Sequence, residues 1–91
     1  MPYSRDEVER ARKAFPIIKR GGERMPNPSG AIKWARQYRP MIDAAITHFG
    51  EMKGYEPFVD RAKAARGSLN ADEVYNHLFN LILEYERHLV R

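Results

Sequence analysis

Along most of the chain, apolar residues recur at three- and four-residue spacing, the period of an amphipathic helix. Gly and Pro divide that pattern into four helical segments; nothing repeats internally, and nothing alternates as a half-buried strand would. In the first segment Val8, Ala11, Phe15 and Ile18 form a narrow seam. Ser4 and Glu7 precede it at the spacing of a capping box, in which each side chain satisfies a backbone donor left free by the first helical turn. Pro16 disfavours helical geometry at Phe15, so the segment should stop or bend there before Gly21-Gly22 ends it. Glu23 to Ser29 reads as an extended connector, with Ser29 as the N-cap of the second helix.

The second segment has the clearest pattern. Ala31, Trp34, Ala35, Tyr38, Met41, Ile42, Ala45, Ile46 and Phe49 share one face at about 100° per residue. Lys33, Arg36, Arg39, Asp43 and Thr47 share the other. The phase does not slip across Pro40, which itself projects from the polar side. The spacing therefore predicts one helix from Gly30 to Phe49, kinked at Pro40 and bent around the core. A short third helix begins with Pro57 at its first position and runs through Phe58, Val59, Ala62 and Ala65 to Gly67.

The last segment has the strongest start signal. Asn70 is the N-cap with Glu73 three residues on, and Leu69 and Val74 occupy the positions of a hydrophobic staple. Asp72 and Glu73 sit at the positive end of the dipole, Arg87 and Arg91 at the negative end. Val74, Leu78, Leu81, Tyr85 and Leu89 make one apolar face, while Tyr75, Phe79, Ile82, Leu83 and Val90 widen it to roughly half the circumference. Either this helix is central, or its second face meets another chain, such as a second copy through Tyr75, Phe79 and Val90. The expected fold is all-α: a compact bundle of four helices in a single domain over residues 1–91, with the second helix kinked at Pro40 and a long C-terminal helix.

Composition bounds the function. At 43% hydrophobic and 31% charged residues, the chain suits a folded domain rather than wholesale disorder. The longest apolar runs, such as Leu81-Ile82-Leu83, are too short for a membrane span or a signal-peptide core. No cysteine is present, which removes disulfides, thiolate zinc sites and cysteine nucleophiles together. Pro28 blocks the glycosylation acceptor that Asn27 and Ser29 would otherwise form. Cytoplasm is the default location.

Charge changes the picture more. Residues 1–40 carry ten basic and four acidic side chains, a net of +6; residues 41–91 carry six and eight, a net of −2. Such asymmetry points to a polyanion-facing surface. Its focus is Lys19, Arg20, Arg24, Lys33, Arg36 and Arg39, against the single acid Glu23. Lysine and arginine neutralise phosphates and gain counterion release, which needs no motif. The same charges also serve a solvated face or a protein contact. Trp34 and Tyr38 fall on the apolar arc, so they belong to the core rather than to a base-stacking platform.

Catalytic signatures are lacking. No P-loop, no Gly-x-Ser-x-Gly elbow and no nucleophile context occurs. Glu73, His77, Glu84 and His88 form two Glu–His pairs on one flank of the last helix, but a pair offers a metal only two ligands where a catalytic zinc needs three. They read as local helix ion pairs, and neither a metal nor a cofactor is expected. A helix-turn-helix does not fit, because a long Pro-rich connector precedes the basic helix. The sequence thus reads as a non-enzymatic binding protein whose basic N-terminal half docks on a nucleic acid or a nucleoprotein complex. The alternative is a protein–protein adaptor or inhibitor module that uses the apolar face of the C-terminal helix, with the basic residues steering it to an acidic partner.

Overall fold

In the computed structural model, which describes residues 3–90, the first helix begins where its capping residue requires. Ser4 Oγ accepts the Glu7 amide at 3.2 Å, and α1 runs over Arg5–Lys13. It stops just ahead of Phe15, the residue that Pro16 bars from helical geometry.

Beyond Pro16 the chain departs from the helical period. Ile17–Arg20 (β1) and Glu23–Pro26 (β2) form an antiparallel hairpin in which Arg20 faces Glu23. Its turn is Gly21-Gly22, with φ of 58° and 86°. Positive φ at both central residues is the two-residue turn whose twist matches that of the strands. Ile18, expected on the seam of the first helix, is therefore a strand residue and 38% exposed. The stretch expected to be an unpaired connector is half of a sheet.

The next helix starts two residues earlier than Ser29 would place it. Asn27 is the N-cap, its Oδ1 accepting the Gly30 amide at 3.1 Å, and Pro28 opens α2 (Pro28–Gln37). In place of one kinked helix, α2 and α3 (Arg39–Gly50) meet at a single non-helical residue, Tyr38, with φ −99° and ψ 14°. Pro40 lies in the first turn of α3, where its missing N–H costs no helix bond. Because only one residue leaves helical geometry, the apolar phase survives the break: Trp34, Ala35, Met41, Ile42, Ala45, Ile46 and Phe49 are all buried.

After α4 (Glu56–Arg66), Asn70 caps the last helix by accepting the amides of Asp72 and Glu73. This helix, α5, is continuous, α-helical over Ala71–Glu73 and Asn80–Leu89 with a π-helical stretch over Val74–Phe79 between them. The staple is not formed. Leu69 remains 76% exposed while Val74 is buried by other elements. Arg91 lies outside the described residues.

α5 packs against α1, α2, α3 and α4, which explains its wide apolar arc. Leu78, Leu81, Ile82 and Tyr85 are completely buried among Val8, Ala11, Ile42 and Phe49. Tyr75 and Phe79 are half-buried, their rings 5.4 and 5.1 Å from that of Phe15, whereas Val90 is exposed. Trp34 joins this aromatic cluster at 4.5 Å from Phe15 and donates its indole N–H to the Ala11 carbonyl at 3.0 Å. A buried donor so paired avoids a desolvation penalty of about 1–3 kcal/mol. The fold is mostly helical, and no helix among the described residues is long and apolar enough to cross a membrane.

Candidate nucleic-acid interface

The six basic residues singled out by charge are all exposed, and none is ion-paired among the described residues. They fall into two groups. Lys19, Arg20 and Arg24 ride on the hairpin; Lys33 and Arg36 stand on the exposed face of α2, and Arg39 opens α3.

Hairpin geometry decides what the first group can do. The Asn27 amide donates to the Pro16 carbonyl at 3.2 Å, so residues 16 and 27 form a hydrogen-bonded pair at the base of the ladder. Such pairs alternate with non-bonded ones in an antiparallel ladder. Counting outward, Ile17 and Pro26 are non-bonded, which is why Pro26 is tolerated. Ile18 and Met25 are bonded, Lys19 and Arg24 non-bonded, and Arg20 and Glu23 bonded. Lys19 and Arg24 thus face each other where opposing Cβ atoms come closest, about 4.5–5.5 Å. Side chains alternate between faces, so that face of the arm bears Ile17, Lys19, Arg24 and Pro26 and no acid. The other bears Ile18, Arg20, Glu23 and Met25, with Ile18 and Met25 each 38% exposed.

The arm is seated on α2. A Cβ placed on Gly30 would lie 2.8 Å from Pro16 Cβ, closer than side-chain carbons approach, so only glycine lets the hairpin base sit against this helix start. Lys33 and Arg36 come after Gly30 at successive three-residue steps along the exposed face of α2. The two groups are consequently neighbours: a projecting arm about 13 Å long and a helical face of similar length, joined where Pro16 meets Gly30.

Sequence reasoning missed two neighbours of this surface. Arg66 and Ser68, from the end of α4 and the turn after it, border the same pocket as Arg36 and Arg39. They lie about thirty residues away in the sequence, and no local signal links them.

The Glu73, His77, Glu84 and His88 set does not converge. Glu84 is ion-paired with Arg87, and His88 packs against His48 of α3 at 5.5 Å between ring centres. Among the described residues no three His, Asp or Glu side chains gather as a metal would need. His48 has its Nε2 buried without a hydrogen-bond partner; burial, and then repulsion from His88, push its pKa below the usual 6.5. The Tyr85 hydroxyl is also buried without a partner, and burial raises its pKa.

No protein-family model, no curated protein and no solved structure matches the chain.

Proposed function

We propose that the protein is a non-enzymatic binding protein whose basic hairpin and adjoining α2 face dock on the phosphate backbone of a nucleic acid or a nucleoprotein complex. The observation that carries this reading is the facing pair Lys19 and Arg24 on a strand face without an acid. Like charges directly opposite destabilise a ladder, and an anion between them reverses the sign of that interaction. Arg20, Lys33, Arg36 and Arg39 extend the same field, which positions the protein without reading bases. A cytoplasmic setting accompanies this reading.

The test is fluorescence anisotropy with random-sequence duplex and single-stranded oligonucleotides over a range of salt. Glutamine at Lys19, Arg20, Arg24, Lys33, Arg36 and Arg39 is expected to weaken binding alike on different sequences. Each lost phosphate contact should flatten the log–log salt dependence by about one unit. Glutamine at Lys53, Arg61 and Lys63 should do much less. Absence of binding at low salt by the folded wild type refutes the reading.

A second reading, a protein–protein adaptor or inhibitor steered to an acidic partner, draws support from the exposed Ile18 and Met25 and from the unpaired outer edges of both strands. A homodimer through Tyr75, Phe79 and Val90 draws less. The first two already lean on Phe15, and Val90 lies eleven residues beyond Phe79, about 16 Å along the helix.

A further inference from the structure

The most sharply formed part of the basic surface is a pocket of about 190 Å³ where α2 gives way to α3. Arg36 and Arg39 line it together with Arg66 and Ser68, and Ile32 and Leu69 are among the other lining residues. Arg66 is ion-paired with Asp43 of α3, whereas Arg36 and Arg39 have no ion-pair partner among the described residues, so the three lining arginines keep two uncompensated positive charges. Ser68 Oγ accepts the Asn70 amide at 3.0 Å, which fixes the hydroxyl while its own proton has no acceptor among the described residues. The donor set is therefore three planar forks and one hydroxyl, held by α2, α3, α4 and the turn after α4 around a volume large enough to admit a tetrahedral oxyanion. Guanidinium forks match phosphate oxygens two at a time, as an ammonium cannot.

We infer that this pocket seats one phosphate group of a nucleic-acid backbone, gripped by Arg36, Arg39 and Arg66 with Ser68 as a further donor. The inference rests on the nucleic-acid reading above and adds to it a fixed anchoring point. Its occupant is indicated by continuity: the exposed face of α2 leads from the hairpin base through Lys33 to Arg36 without an intervening acid. Leu69, 76% exposed and unused as a staple, also lines the pocket and offers an apolar contact for the sugar next to a seated phosphate.

The experiment measures affinity for a random duplex and a random single strand with the wild type and three variants outside the hairpin. Arg66→Gln should weaken binding about tenfold and lower the salt slope by about one unit. Ser68→Ala should weaken it about two- to fivefold. Asp43→Asn breaks the same ion pair as Arg66→Gln but should tighten binding about two- to fivefold, because it frees the Arg66 guanidinium from its carboxylate partner. A purely structural role for the pair predicts the same sign for both. Asp43 and Arg66 are 45% and 32% exposed, so the fold tolerates either change, and a thermal melt checks it. Nucleic acid bound equally by all four proteins overturns the pocket and leaves the broader reading standing. Absence of any binding by the folded wild type overturns both. A phosphoserine peptide bound by the wild type and lost in Arg66→Gln, without nucleic-acid binding, gives the pocket to a protein partner and overturns the assignment.

Discussion

If Lys19 and Arg24 are held together for the sake of an anion, relieving their repulsion should strengthen the free hairpin while weakening the complex. Arg24→Glu is the informative change. It converts a like-charged non-bonded pair into an oppositely charged one at a Cβ separation of about 5 Å, while Arg20 and Glu23 stay on the other face. Removing the repulsion and adding an attraction should together stabilise the ladder by about 0.5–1.4 kcal/mol, or about two- to tenfold in its closing equilibrium. Added salt should shrink the gain as the Debye length falls towards about 8 Å.

Native-state hydrogen exchange reads this locally, where a global melt would dilute it. The ladder supplies its own control. Amides of Ile18, Arg20, Glu23 and Met25 lie in hydrogen-bonded pairs and should slow, whereas those of Lys19 and Arg24 point outward and should not. Arg20→Glu sets a glutamate against Glu23 and should speed the same four amides. The two variants thus differ in sign on the hairpin and agree in weakening nucleic-acid binding. Equal loosening by both, or no response from either, would show that the facing cations exert no strain and would remove the observation on which the functional reading stands.

Gly30→Ala should destabilise the protein by about 1–3 kcal/mol in urea titration, since its Cβ would meet Pro16 at 2.8 Å; the hairpin amides should loosen with it. Tyr85→Phe removes a buried hydroxyl that has no partner, so stability should hold or rise by up to about 1 kcal/mol. His48 has its pKa lowered by burial and by His88, so the folded state binds fewer protons than the unfolded one below pH 6.5. Stability should be insensitive to this group above that pH and should fall as the pH drops from 6.5 towards its folded pKa; His48→Gln should flatten the melting temperature across that window.

The helical elements are legible in the sequence wherever a cap and a period agree. Ser4 and Asn70 cap as their spacing requires, and the apolar arc from Ala31 to Phe49 is the buried one. The hairpin is hidden because Val8, Ala11, Phe15 and Ile18 satisfy the helical period across Pro16, and four points of agreement outweigh the proline. The correct signal is nonetheless present. Two β-branched residues come directly after Pro16, and Gly-Gly separates their strand from a second extended stretch, which is the composition of a two-residue hairpin loop. At Tyr38 the continuous phase is right and the continuous helix is not. A proline four residues after Arg36 would crowd its carbonyl, and the chain avoids this with one non-helical residue that leaves the faces aligned.

That hairpin also alters what the charge cluster means. Along an unpaired connector, Lys19, Arg20 and Arg24 would be three cations free to spread apart, and solubility would explain them as well as binding does. Paired in a ladder, two of them are fixed opposite each other and the third is set against Glu23 on the reverse face. A solvated surface gains nothing from that opposition, because either residue could be neutral without loss of solubility. Arg36 and Arg39 change in the same way once α4 delivers Arg66 and Ser68 to their pocket. Net charge, visible in the sequence, is a weak argument for a polyanion; cations confined against their mutual repulsion are a stronger one, and only the register of the strands and the packing of the helices bring them together.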